Sequence, residues 1–122
     1  MRLENKIALL TGIGQGMGRG TALLFAQEGA KVVLTARGRD RLVETATQIG
    51  LDGGISTVVS GDVSIRSEVD AVVRQVMEQY GRIDIVYSAA GGNFDPRRKL
   101  QEMDESFWST TVSNTMTSLY NV

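Results

Sequence analysis

Short apolar runs alternate along this chain with stretches in which apolar residues recur every three or four positions. Ile7-Ala8-Leu9-Leu10, ending in Thr11-Gly12, is an unbroken run and predicts a strand buried on both faces. Glycines follow at 12, 14, 16, 18 and 20. Thr21 to Gln27 then predicts a helix carrying Leu23, Leu24 and Phe25, with Gly29 at its stop. Lys31 to Thr35 is a β-branched run and predicts a second strand. Arg39 to Ile49 sets Leu42, Ala46 and Ile49 at helical spacing, with Gly50 ending the helix. Ile55 to Ser60 predicts a third strand.

The clearest helical stripe comes next. Val69, Val72, Val73, Val76, Met77 and Tyr80 fall at i, i+3, i+4, i+7, i+8 and i+11, with Ser64 suited to the N-cap and Gly81 to the stop. Ile83 to Ser88 predicts a fourth strand, and its unbroken Ile85-Val86-Tyr87 suggests cover on both faces and pairing on both edges. A loop with the only proline, Pro96, leads to Asp104, an N-cap for a last helix with Trp108, Val112, Met116 and Leu119 as its apolar face. That helix meets no glycine, proline or basic turn before Val122, and its interior is rich in threonine, so it depends on tertiary packing.

Strict alternation of strand and helix predicts an α/β fold: a parallel sheet with right-handed crossovers and helices on both faces. Residues 1–122 hold one domain, with four strands and about four helices, no repeat and no linker. The running apolar stripe reads as a domain incomplete at its C-terminus. The fourth strand's open edge and the unpartnered last helix then predict that the isolated chain associates, or packs loosely.

Composition narrows the chemistry. A formal net charge of −1 gives no basic excess for nucleic acid, and 22% charged with 42% hydrophobic residues is ordinary for a soluble globular protein. With no cysteine and no histidine, disulfides, thiolate and imidazole catalysis drop out, and no metal site is expected. Ile7 to Leu10 is too short for a signal-peptide core or a membrane span, so no membrane association is expected and the cytoplasm is the expected compartment.

Thr11-Gly12-Ile13-Gly14-Gln15-Gly16-Met17-Gly18 stands between the first strand and the first helix. Glycines there permit a tight turn and let backbone amides at a helix N-terminus approach a pyrophosphate. A P-loop would need a Gly-Lys-Ser/Thr ending, and no lysine occurs between Lys6 and Lys31. A methyltransferase loop would want an acid at the end of the second strand, where Ala36-Arg37 stands. The spacing T-G-x-x-x-G-x-G resembles the short-chain dehydrogenase/reductase family, whose further motifs match in order along the whole chain. The resemblance implies a Rossmann-type doubly wound sheet, with the four strands ordered 3-2-1-4.

That resemblance gives other residues their expected roles. Thr11, Gly12, Gly14, Gln15, Gly16, Met17 and Gly18 would form the cofactor's phosphate loop. No acid lies between Glu28 and Asp40, and Arg37, Arg39 and Arg41 are available, which favours NADP(H) over NAD(H), with Arg37 at the 2′-phosphate or else a solvated arginine. Gln15 stands where many NADP-preferring relatives carry a basic residue. Asp62-Val63 resembles the pair at the adenine, although Asp62 could equally cap the next helix. Ala90-Gly91 fits the end of the family's Asn-Asn-Ala-Gly, whose asparagines are Ser88 and Ala89 here. Asn114, seven residues after Phe107, resembles the asparagine of the proton relay, or is a helix-interior residue satisfied locally. Arg97-Arg98-Lys99 could face an anionic substrate, but as a charge run it reads first as a solvated loop.

The family's acid/base pair, Tyr-x-x-x-Lys, does not occur: Tyr80 is followed by Asp84, Tyr87 by Gly91, and Tyr120 lies two residues from Val122. The expected function is therefore the cofactor-binding part of an oxidoreductase. The intact protein would act on a small carbonyl or alcohol, as a homo-oligomer by resemblance. The alternative is a non-enzymatic nucleotide-binding or interaction module.

Overall fold

The structure, a computed structural model, describes residues 1–14, 16–90 and 99–122, with only the backbone of Leu100. Four parallel strands, β1 (Ile7–Thr11), β2 (Lys31–Thr35), β3 (Ile55–Val58) and β4 (Ile85–Ser88), form one sheet in the order β3-β2-β1-β4. Register runs Ile7 against Lys31 and Thr11 against Thr35 on one side of β1, and Ala8 against Ile85 on the other. Helices α1 (Met17–Gln27) and α2 (Arg39–Leu51) cover one face, and α3 (Arg66–Tyr80) the other. The expected doubly wound order is the one observed.

Alternation along the central strands feeds both layers. Ala8, Leu10, Val32 and Leu34 pack against Ala22 and Ala26 of α1 and Leu42 and Ile49 of α2. Ile7, Leu9 and Val33 pack against Val72 and Val76 of α3. Burial of each Leu or Val side chain contributes roughly 1.5–3 kcal/mol. The face of α1 toward the sheet is built from Gly18, Ala22 and Ala26, whose small side chains bring the helix close.

Several element ends differ from the sequence expectation, each for a local reason. α1 starts at Met17, four residues before Thr21, so Gly18 and Gly20 lie inside the helix and Gly16 is its N-cap. α2 runs through Gly50 to Leu51, and the turn falls instead at Gly53, with a φ of 85°. α3 begins at Arg66 with Ile65 at the cap and no side-chain cap bond; Ser64 is held by Asp62 and caps nothing. Its end is as expected, at a left-handed Gly81. β3 stops at Val58, and β4 starts at Ile85, just after Asp84, which donates its N–H to the Ile7 carbonyl at 2.9 Å and accepts the Ile7 N–H on its carboxylate at 2.8 Å. β4 pairs only with β1 among the described residues, and Val86 is 49% exposed, so it is not covered on both faces.

After residues 91–98 comes a short 3₁₀ turn (Leu100–Glu102), then α4 (Glu105–Val112), a π-helical turn (Ser113–Thr117) and α5 (Ser118–Asn121). Asp104 caps α4 as expected, accepting the N–H of Phe107 at 2.7 Å. Val112, Ser113, Thr117 and Ser118 keep right-handed helical torsions, so the three pieces form one rod. Its inward side is not the apolar stripe: Trp108, Met116 and Leu119 are exposed, while Asn114 and Ser118 are buried. Among the described residues, no helix is long and apolar enough to cross a membrane.

Candidate functional site

The connections leaving the carboxyl ends of all four strands enclose a cleft of about 290 Å³. Gly12 to Gly14 follow β1, Ala36 to Gly38 follow β2, Gly61 to Val63 follow β3, and Ala90 follows β4. Arg41 of α2 and the buried pair Asn114 and Ser118 complete the wall. Chain order turns back at β1, since β2 and β3 lie on one side and β4 on the other. Open α/β sheets bind ligands at such a switch point, outside the carboxyl ends of the strands.

Gly12 makes this convergence possible. Its φ is 71°, and a Cβ added there would stand 2.6 Å from the carbonyl carbon of Ala89 and nearer still to Ala90. Only hydrogen fits between the β1 and β4 connections. Farther along, Gly16 turns the chain into α1 with a φ of 76°. That helix has neither a capping side chain nor an acid in its first turn, leaving its leading N–H groups available to an anion.

Opposite the glycines, Asp62 is held in a tight turn. One carboxylate oxygen accepts the N–H of Ser64 at 2.9 Å and its hydroxyl at 2.6 Å, and the Asp62 N–H donates to Glu68 at 3.1 Å. The Ser64 hydroxyl is the main cause of an Asp62 pKa below the ordinary carboxylate value; burial opposes it, and the Ser64 N–H and the Arg37 charge add to it. Asp62 is therefore an ionised acceptor at neutral pH, with its second oxygen in no hydrogen bond among the described residues.

On the far wall, the π-helical turn presents Asn114. The Ser118 hydroxyl donates to the Ser113 carbonyl at 3.0 Å, five residues back, as the wide turn requires. The Asn114 Nδ2 is buried with no hydrogen-bond partner among the described residues. A buried amide left unpaired costs about 1–3 kcal/mol. The Asn121 side chain donates to the carbonyl of Val63 at 3.1 Å, tying the rod to the wall that bears Asp62.

Of the residues singled out from the sequence, Gly12, Gly14, Arg37, Asp62, Val63, Ala90 and Asn114 line this one cleft. Thr11, Gly16, Met17 and Gly18 do not: Thr11 is buried at the end of β1, Met17 is exposed, and Gly18 packs on Ile13. Gln15, Gly91, Arg97 and Arg98 lie outside the described residues. Arg41, counted with Arg37 and Arg39 among the available arginines, lines the cleft, and so does Ser118, which the sequence reading did not name; Ser118 stands four residues after Asn114, a helical spacing that could have pointed to it. Among the described residues, no cluster of acids could hold a metal ion.

Residues 6–122 match the family model described as short chain dehydrogenase. The chain is 38% identical over 125 residues to the 3-oxoacyl-(acyl-carrier-protein) reductase FabG of Thermotoga maritima, covering 100% of this chain and 49% of that protein. Among solved structures, a short chain dehydrogenase from Mycobacterium smegmatis superposes with a TM-score of 0.87 at 33% identity, over 98% of this chain and 50% of that one. A 3-ketoacyl-(acyl-carrier-protein) reductase from Brucella melitensis, complexed with NADH, superposes with a TM-score of 0.86 at 31% identity, over 98% of this chain and 47% of that one. The chain thus spans about half the length of the relatives it matches.

Proposed function

The chain belongs to the short-chain dehydrogenase family, and from that membership we propose that it forms the cofactor-binding part of an oxidoreductase that prefers NADP(H). One observation carries the reading: the connections of all four strands meet in a single cleft that holds Arg37 and has no acid at the end of β2. An acid there would accept from a ribose 2′-hydroxyl, whereas an arginine accommodates a 2′-phosphate.

The residues present fit such a dinucleotide. Gly12 and Gly14 place no side chain on the cleft, and the uncapped start of α1 offers N–H groups to a pyrophosphate. The free oxygen of ionised Asp62 accepts from the exocyclic amine of adenine, with Val63 beside it as an apolar contact. The unpaired Asn114 amide has a buried donor to give, to a ligand or to a water held for proton relay. When bound, the nicotinamide supplies or takes up the hydride that interconverts a carbonyl and an alcohol. The whole protein carrying this sequence would use a small-molecule carbonyl or alcohol substrate. With no Tyr-x-x-x-Lys in residues 1–122, this chain binds the cofactor without providing the acid/base pair.

Titration of the dilute chain with NADPH and NADH, followed by nucleotide fluorescence, tests the proposal. NADPH is expected to bind tighter by about 1.5–3 kcal/mol, the range for charge-assisted hydrogen bonds, and Arg37→Ala to remove a large part of that margin. No ketone should accelerate NADPH consumption by the purified chain. Equal affinity for the two cofactors in the unmodified chain would reduce Arg37 to a solvated arginine. Turnover that survives repurification would refute the assignment of acid/base chemistry outside these residues.

A further inference from the structure

We infer that Ser118 is a positioning residue of the cleft: its hydroxyl holds the π-helical turn that keeps the Asn114 amide in the cavity wall. The inference rests on the reading of Asn114 as a donor to the bound nucleotide or its water, and adds the group that aims it. Both residues line the cavity, with Ser118 1% and Asn114 8% exposed. Helical hydroxyls elsewhere in the chain bond four residues back. Thr21 donates to the carbonyl of Met17, Thr45 to that of Arg41, Thr47 to that of Val43 and Thr111 to that of Phe107. This is the bond that an α-helix offers a serine or threonine side chain. Ser118 departs from it. Its hydroxyl donates to the Ser113 carbonyl, five residues back at 3.0 Å, and its backbone N–H donates to the same carbonyl.

In an α-helix both donors would meet the carbonyl of Asn114 instead. Ser118 therefore places its hydroxyl and its N–H on the one acceptor that defines the wide turn, whose two lone pairs accept both. Wide turns of this kind are rare and short. The Asn114 Nδ2 within this one is buried with no hydrogen-bond partner among the described residues, which opposes the conformation. The added bond from the Ser118 hydroxyl offsets that cost. Farther along, the rod is fixed where the Asn121 side chain donates to the Val63 carbonyl at 3.1 Å. Without the hydroxyl, the N–H at position 118 is free to return to the ordinary α bond. The winding between Asn114 and the Asn121 anchor then changes, and the amide rotates from its place in the wall. Ser118 thus acts on the cleft through Asn114.

Heteronuclear NMR of the Asn114 side-chain amide, in dilute solution and assigned with Asn114→Asp, tests this. The unmodified chain is compared with Ser118→Ala, Ser118→Thr and Thr115→Ala, each checked for folding by circular dichroism. Thr115 is an exposed residue of the same turn and controls for the helix preference of alanine. Exchange of the Asn114 amide with solvent is expected to quicken about three- to tenfold in Ser118→Ala, the equilibrium shift that one net hydrogen bond gives. Ser118→Thr, which keeps the hydroxyl, and Thr115→Ala should both retain the slow exchange, and backbone exchange in α4 should stay unchanged throughout. NADPH should shift the Asn114 resonance of the unmodified chain, and shift it less in Ser118→Ala. Unchanged Asn114 exchange in Ser118→Ala overturns the inference while leaving the nucleotide reading intact. So does quickening that is as large in Ser118→Thr or Thr115→Ala, or that extends equally to α4, since Ser118 would then be an ordinary packing residue. A chain that fails to bind NADPH, or whose Asn114 resonance ignores it, overturns the reading on which the inference rests, and the inference with it.

Discussion

Gly12 and Gly20 belong to one glycine-rich stretch, yet their surroundings differ in kind. A methyl on Gly12 would overlap the backbone of Ala89 and Ala90, and its φ of 71° disfavours any L side chain. Gly20 lies inside α1 with nothing within 4 Å of an added Cβ. Gly12→Ala should therefore destabilise the fold by about 1–3 kcal/mol or more, while Gly20→Ala should stabilise it by about 0.5–1 kcal/mol. Urea unfolding of the two variants checks both signs, and equal effects would refute the distinction. The sequence marks both positions with the same letter, so the glycine loop was legible but the demand on each glycine was not. The alternating arginines show the same limit, because only the path of the chain into α2 decides that Arg37 and Arg41, and not Arg39, line the cleft. Asp84 adds a prediction on pH. The Ile7 N–H is the first cause holding its pKa below the ordinary value, against burial, with Arg82 and Lys6 adding to the lowering. A depressed folded pKa contributes stability above the unfolded value of about 3.9, which is lost as pH falls through the folded value. Unfolding midpoints of the unmodified chain and Asp84→Asn should accordingly differ near pH ~5.5, and the gap should narrow as pH falls below the unfolded value. A constant gap would mean that Asp84 acts through shape alone.

Among the elements, the strands and the first three helices follow the hydrophobic pattern closely, and the last helix departs from it. Periodicity assigns a face to the core on the premise that the core is apolar. That holds for α3, where Val69, Val72 and Val76 are buried, and the sheet supplies an apolar partner. The wall that receives the α4–α5 rod is the rim of a polar cleft. The rod turns Asn114, Ser118 and Asn121 toward it, at the helical spacings of four and three, and leaves Trp108, Met116 and Leu119 outside. A polar stripe of that kind was present in the sequence but carried no signal of burial. The early start of α1 was hidden for a related reason, since Gly18 and Gly20 give a helix no apolar marker. Docking of the rod then depends on few contacts, of which the Asn121 to Val63 hydrogen bond joins it directly to the cleft. Asn121→Ala should weaken that docking by about 0.5–1.5 kcal/mol, the net worth of an ordinary hydrogen bond. Amide hydrogen exchange should quicken across residues 105–121 while β1 and β2 keep their protection. Uniform quickening across the sheet would instead make Asn121 part of the global core.

At the scale of the molecule, alternation of the two periods made the α/β class legible, whereas the strand order came only through the glycine motif and its family. Hydrophobic pattern alone does not say on which side of β1 the chain places β4. Uncovered apolar surface at the fourth strand and the last helix was expected from the sequence, and the structure shows where it lies. β4 is an edge strand among the described residues, with Val86 49% exposed. On the rod, Trp108 is 70%, Met116 68%, Leu119 64% and Tyr120 82% exposed. Monomeric proteins scatter single exposed apolar residues freely, but a series along one helix, together with an open sheet edge, favours association. The charge of −1 adds little repulsion to oppose it. The chain is therefore expected to self-associate as its concentration rises from ~1 to ~100 μM, a range in which exposed apolar surface commonly drives association. Trp108 reports on this without a label: its emission should be that of a solvated indole in dilute solution and shift to shorter wavelength on association. The double variant Met116→Lys with Leu119→Lys leaves Trp108 and the cleft-lining residues in place, and it should keep the chain monomeric in sedimentation over the same range. If the unmodified chain sediments as a monomer throughout with solvated Trp108 emission, the exposed stripe drives no association. If the double variant associates as strongly as the parent, the contact lies elsewhere, with the β4 edge the next surface to test.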